Sequence, residues 1–333
     1  MTSAETTAIA RTPKKGGILS LPLLKQSIQA NWLLWLLLTI GSCTIFFVIN
    51  VVVCSRNIFT NVDMNSVSTY VSEENLSWLQ ILGMLEQMGF SLTRIEVMSR
   101  IDLNSILSDL VYKIVGVLLP MIYVMVVSNG LIVNQVNSGS MAYVLSTPTS
   151  RRKVVFTSFF FLFASLVLMY VAITSIALLS EFIAGVMRVA NGGERNMNVL
   201  RTVLLCYSSF AALFAISGVC FGASAFFNKS NNSIALGGGV CVLSFICCIL
   251  GLFGSQVFVS VGIGVSAMNI FNYLSIFTLI DTDAIGSFAK ALNGNPDVSL
   301  SLAWLWKSGV LLAIGVVAAV VGSVHFLKKD LPL

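Results

Sequence analysis

Residues 154–180, VVFTSFFFLFASLVLMYVAITSIALLS, carry no Asp, Glu, Lys or Arg, and they follow directly on Arg151, Arg152 and Lys153. A bilayer core about 30 Å thick is crossed by roughly 20 apolar residues of helix, so this stretch is long enough to span it. Five more stretches share the property: 32–54, 114–133, 202–227, 233–261 and 308–327. Charges inside a membrane are costly and normally mark proton relays, ion paths or chemistry. Their absence from six spans excludes most secondary transporters and intramembrane enzymes. Any energy the protein uses must reach it from outside the bilayer.

Composition agrees with that reading. Of 333 residues, 56% are hydrophobic and only 10% charged, and the mean hydropathy is +0.91, values outside the range of soluble domains. The first apolar run is too long for a signal-peptide core, lacks a small-residue cleavage site and follows a basic head (Arg11, Lys14, Lys15, Lys25). It reads as a retained span.

Charge then orients the chain. With the N-terminus in the cytoplasm, the inside segments are 1–31, 134–153, 228–232 and 328–333. They hold ten basic residues against Glu5 and Asp330, a balance of +8. The outside segments 55–113, 181–201 and 262–307 carry −3, and together these give the +5 of the whole chain. Short basic loops stay in the cytoplasm, so both termini are expected there.

The seven cysteines (43, 54, 206, 220, 241, 247, 248) lie in or at the ends of spans, without a C-x-x-C pair. They read as small packing residues. His325, alone of its type, sits near the end of the last span beside Lys328 and Lys329 and reads as an interfacial, helix-end residue.

Two outside segments interrupt the spans. In 55–113, Leu76, Leu79, Leu82, Leu85 and Met88 recur at helical spacing over 74–90, and a second helix is predicted over 102–112. Glu73, Glu74 and Glu86 deny the first helix the basic face of a membrane-surface helix, which favours a cap over the assembly. After the fifth span, Gly262, Gly264, Asn269, Asn272 and Ser275 break an uncharged run. Irregular backbone at membrane depth survives only when buried in protein or lining a cavity. The expectation for 262–280 is one or two short re-entrant or outer-leaflet helices forming a gate, with Asn269, Asn272, Tyr273, Phe277 and Asp281 as its residues.

The sharpest motif is the inside loop 134–153. Its middle reads as a short helix capped by Ser138 or Ser140, with Met141, Val144 and Leu145 on one face at i, i+3 and i+4. Thr147-Pro148 stops it, and the basic cluster returns the chain to the membrane. Positive-inside anchoring explains the cluster, but an apolar helical knob facing the cytosol needs a partner to bury it.

Residues Gly139-Ser140-Met141-Ala142-Tyr143-Val144-Leu145-Ser146-Thr147-Pro148, followed by Arg151-Arg152-Lys153-Val154-Val155, resemble the coupling loop of ATP-binding-cassette (ABC) transporter permeases of the bacterial ABC-2 exporter class. The segment 23–32 resembles that family's amphipathic entry helix, and 327–333 resembles its C-terminal ending. The resemblance implies an all-α polytopic protein of the bacterial cytoplasmic membrane, paired with a second permease chain, identical or paralogous, and set among membrane lipids. Separate cytosolic ATPase subunits would grip the loop through Ser138, Gly139, Ser140, Met141, Tyr143, Val144, Leu145, Ser146, Pro148, Arg151 and Arg152. It further implies that the first and fifth spans flank the path between subunits, making Ser42, Thr44, Asn50, Ser244 and Gln256 its polar candidates; single hydrogen bonds between helices explain each of them as well. The family's first outside loop is a short hairpin, so 55–113 departs from the pattern.

No Gly is followed by Lys anywhere, so the phosphate-cradling G-x-x-x-x-G-K-[ST] loop is missing. The chain is expected to bind no cofactor itself, with ATP and Mg held by the partner ATPase. No nucleic-acid partner is implied. Gly218-Val-Cys-Phe-Gly222 offers close helix approach, within the chain or between subunits. Three function classes emerge: an exporter permease moving amphipathic or hydrophobic cargo such as a peptide, lipid or drug; a membrane sensor or scaffold binding a ligand through 55–113; and a membrane-embedded enzyme, for which only Asp281, Asp283 and scattered loop carboxylates are at hand.

Overall fold

A computed structural model describes residues 19–55, 103–146, 150–190, 198–254, 259, 265–292 and 301–329. The helix expected over 74–90, together with Gln256 and Pro148, lies outside them. The described chain is helical: α1 (Leu21–Ser55), α2 (Leu103–Leu131), α3 (Val133–Asn137), α4 (Ser140–Ser146), α5 (Arg151–Ala190), α6 (Val199–Phe226), α7 (Ser230–Phe253), two 3-10 helices (Ser266–Tyr273 and Ile276–Leu279), α8 (Thr282–Leu292) and α9 (Ala303–Lys328). Among the described residues, six helices are long and apolar enough to cross a membrane. The protein is a multi-pass membrane protein.

The helices outrun the apolar stretches that announce them. The 40 residues of α5 make a rod of about 60 Å, twice the hydrocarbon thickness. The entry segment 23–32 and the first span form one helix, with Pro22 in its first turn, where a missing N–H costs nothing. The helix predicted over 102–112 likewise runs on into α2.

Hydrogen bonds fix how the rods lie. Ser20 N donates to Thr157 Oγ1 (3.1 Å), Trp35 Nε1 to the Ser165 carbonyl (3.0 Å), and Asn50 Nδ2 to Ser180 Oγ (3.2 Å). α1 and α5 therefore run parallel. Arg151 Nη1 donates to the Lys329 carbonyl (2.9 Å), and Lys329 Nζ to the Phe226 carbonyl, so α6 and α9 end where α5 begins. His325 stacks on Phe226 with ring centroids 4.1 Å apart, a packed helix-end position. Asn129 Nδ2 donates to Ser230 Oγ (2.7 Å), joining α2 to the start of α7 at the same end.

α6 is the most buried of the six and packs on α9, α2, α7 and α5. Its face toward α9 includes Gly218 and Gly222, beside Phe214. A Cβ on Gly222 would sit 2.6 Å from the Ala318 carbonyl oxygen, and one on Gly322 would sit 2.5 Å from Gly222 Cα. The G-x-x-x-G of the fourth span is thus used within the chain, where small residues bring two backbones into contact. Cys220 and Cys241 also meet across the α6–α7 seam, their sulfurs 3.7 Å apart, and Cys43, Cys206, Cys220, Cys241, Cys247 and Cys248 are free.

One defect in α2 is repaired by a neighbour. Pro120 lies inside the helix and has no N–H for the carbonyl four residues back. That carbonyl belongs to Gly116, and the Tyr170 hydroxyl of α5 donates to it at 2.8 Å. Water is absent at this depth, so such a group must find a protein partner.

Candidate functional site

The bundle has two chemically different ends. Where Ser20, α3, α4, the α6–α7 turn and the last turn of α9 meet, the described charges are Lys25, Arg151, Arg152, Lys153, Lys229, Lys328 and Lys329; no carboxylate lies there among the described residues. The opposite end mixes signs, with Lys113, Glu181, Arg201, Asp281, Asp283, Lys290 and Lys307.

At the basic end, α2 stops at Ile132 (φ −125°, ψ −69°), and two short helices follow. The backbone N–H of Val133, the first residue of α3, donates to Ser224 Oγ of α6 at 3.3 Å. Ser224 is fully buried, so the connector is bolted to the most buried span. Between α3 and α4 the chain turns at Gly139, whose φ of +75° is a conformation that side chains resist. The serines do not cap α4 from outside. Ser140 is its first residue, and Ser138 Oγ and Ser140 Oγ both donate to the Gln135 carbonyl, at 3.3 and 3.2 Å. Ser146 Oγ closes the far end by donating to the Tyr143 carbonyl at 2.8 Å.

Two of the three apolar residues expected on an outward face of α4 turn inward instead, and the side chain of the third, Leu145, lies outside those described. Met141 is buried at 2% exposure, and Val144 packs against the same cluster of core residues. The residue offered to the outside is Tyr143, 80% exposed. Periodicity fixes which residues share a face, but not which face meets the protein. Of the basic cluster, Arg151 is engaged with α9 while Arg152 is exposed.

Of the polar residues suggested for a path, Asn50 is engaged between helices, while Ser42 and Thr44 bond back to carbonyls of their own helix. Ser42 is buried and donates to the Leu38 carbonyl. Asn50, also buried, donates to Tyr112 Oη (3.3 Å) as well as to Ser180, tying α1 to α2 and α5. The Ser244 carbonyl accepts from Ser275 Oγ (2.8 Å), fixing the segment before α8 onto α7. Thr44 bonds to the Ile40 carbonyl of its own helix.

At the opposite end, the short helices over 266–279 settle on the end of α7. Asn272 Nδ2 donates to the Gly251 carbonyl (3.1 Å) and to Asn269 Oδ1 (2.7 Å). Gly251 and Gly254 are the surfaces these residues rest on; a Cβ on either would collide with Asn272 or Asn269. Phe277 is buried edge-on to Phe245, while Tyr273 is 85% exposed. α8 follows, an element the sequence reading passed over. Its signal was present: Asp281 just before it, Asp283 in its first turn and Lys290 in its last.

Asp281 does two jobs. Its Oδ1 accepts from the Ala284 backbone N–H (2.9 Å), capping α8, and its Oδ2 pairs with Lys307 Nζ of α9 (2.5 Å). Burial by itself would raise this carboxyl, but the bonds from Lys307 and Ala284 hold it below its ordinary value. A depressed carboxylate adds stability above its unfolded pKa, and that stability is lost as pH falls through the folded value. Asp281→Asn is therefore expected to speed amide hydrogen exchange across 282–292. In the native protein, acidification below about pH 4 should lower the protection of the same amides relative to their slower intrinsic exchange at that pH, and the protection in the variant should respond little. Equal pH responses in both would remove Asp281 from this role. Among the described residues no group of three His, Cys, Asp or Glu side chains could hold a metal ion.

A family model described as "ABC-2 family transporter protein" matches residues 25–331. No curated protein and no solved structure matches the chain.

Proposed function

The chain belongs to the ABC-2 family of transporter proteins, and on that premise we propose that it is the permease subunit of an ATP-driven exporter in a bacterial cytoplasmic membrane. The observation that carries this reading is the connector α3–α4. It is a small helical unit at the basic end, bonded to α6 through Val133 and Ser224, seated by Met141 and presenting Tyr143 outward. A force applied to Tyr143 would reach the spans through packed side chains and a buried hydrogen bond.

In this reading the basic end is cytosolic, as the positive-inside rule requires, and both termini lie there. Cytosolic ABC ATPase subunits bind ATP and Mg and dock on the outward surface of 138–146 together with Arg152. A second permease chain, identical or paralogous, completes the pathway. Closure of the ATPases displaces the connector, the spans tilt, and the 266–292 segment opens at the opposite end. Spans without interior charge suit an amphipathic or hydrophobic cargo such as a peptide, lipid or drug. Asp281 is committed to Lys307 and to the α8 cap, which leaves the membrane-enzyme reading without its principal acid. A sensor or scaffold reading would rest on 55–113, and no observation favours it.

The test is co-expression of the tagged chain with candidate ABC ATPases, followed by ATP hydrolysis in lipid nanodiscs. A stoichiometric complex whose hydrolysis rises on adding cargo supports the permease. Failure of every ATPase to co-purify would overturn it.

A further inference from the structure

The outer wall of the bundle contains a cleft of about 740 Å³ between α5, α6 and α9. A cleft of that size holds one elongated small molecule. Its walls are apolar, with Phe156, Phe159 and Phe163 on α5, Phe214 on α6, and Val316 and Val320 on α9. Phe163 stands edge-on to Phe214 at 5.6 Å and closes the deep end. At the shallow end the lining changes to Arg152, Lys153 and Ser150, with no carboxylate among the lining residues.

Depth identifies the occupant. From Arg152 to Phe163 on α5, and from Val316 to Leu327 on α9, the cleft covers eleven residues of helix. At 1.5 Å per residue this is about 16 Å, close to half of a 30 Å hydrocarbon core. The whole cleft thus runs from the basic end of the bundle toward the middle of the membrane, and its apolar part on α5, Val155 to Phe163, covers about 12 Å, enough for much of one acyl chain in one leaflet. Phe156, Val320 and Val324 are each about half exposed along it, so the cleft opens sideways to lipid. Basic pockets between membrane helices at the cytoplasmic level take anionic headgroups.

We propose that this cleft is a binding site for one anionic phospholipid of the leaflet at the basic end, its phosphate held by Arg152 and Lys153 and one acyl chain laid between α5 and α9. A lipid there would bridge the first turns of α5, next to the connector, to the last turns of α9. Lipid binding at this cleft needs neither ATP nor an ATPase partner, although Arg152 also borders the surface proposed for ATPase docking.

The test uses the full chain in a neutral detergent, mixed with equal amounts of phosphatidylglycerol and phosphatidylcholine of matched chains, with bound lipid counted by native mass spectrometry. One phosphatidylglycerol should be retained over phosphatidylcholine by roughly tenfold or more, as two cations near a headgroup would give. Arg152→Glu with Lys153→Glu should abolish that preference, and Val320→Trp should abolish retention of both lipids by filling the cleft. Lys229→Glu, a cation at the same end but off the cleft, should change nothing. Excess inorganic phosphate should displace no lipid. Equal retention of the two lipids, an effect of Lys229→Glu as large as that of the cleft variants, or displacement by phosphate would each overturn the proposal. Because the measurement contains no nucleotide, its failure leaves the transport reading untouched.

Discussion

Gly218→Ala or Gly315→Ala should lower the thermal unfolding temperature of the detergent-solubilised chain by about 3–10 °C, taking an overpacking cost of ~1–3 kcal/mol. A methyl on Gly218 would enter the backbone of Gly315, and one on Gly315 would lie 2.8 Å from both the Phe214 carbonyl oxygen and the Phe214 ring. Because these obstacles include backbone, no rotamer change relieves them, and α6 must move away from α9. Separation would cost the dispersion contacts along the whole seam, and in a membrane no hydrophobic force between helices replaces them. Gly41→Ala and Gly309→Ala are the controls, since a Cβ at either position meets nothing within 4 Å. If all four variants melt together, the seam does not hold the bundle.

Tyr143→Ala should cut the affinity for the partner ATPase by about thirtyfold, the effect of losing one central tyrosine worth ~2 kcal/mol at an interface. The chain itself should fold normally, because the side chain is exposed and only its carbonyl is used locally, by Ser146. Met141→Asp should behave oppositely. It places a carboxylate in a site only 2% exposed, so yield and stability should fall before docking can be assayed. Binding of the ATPase to immobilised permease measures both. An undiminished affinity for Tyr143→Ala would move the docking surface off α4.

The pair shows where sequence reasoning ends. Spacing correctly grouped Met141 with Val144, yet the choice between an inward and an outward apolar face depends on what the packed spans leave uncovered, which no local pattern contains. The spans were legible because bilayer solvation acts on each helix separately, so the missing charges alone reveal them. Their true lengths were not, since α1 and α5 continue past the hydrocarbon layer under ordinary helix propensity. Gly218 and Gly222 announced a close approach, but their partner lies far along the chain, in α9. Asn50 could be seen as a polar residue in a span; that it joins Tyr112 and Ser180 is a fact of tertiary geometry. Pro120, which the sequence reading passed over, breaks a hydrogen bond inside α2, and the donor that mends it, Tyr170, is visible only with α5 in place.

The contact between α6 and α9 also sets an order of assembly. α6 is synthesised well before the helix whose glycines it needs, with α7 and the whole 266–292 segment in between. Until α9 inserts, the Gly218–Gly222 face stays open to lipid, and Arg151 and Phe226 wait for Lys329. The early spans can insert one by one, but the basic end cannot lock until α9 arrives. An assembly intermediate of five helices should therefore be the species that membrane quality control encounters, its unpaired small-residue face marking the protein as unfinished.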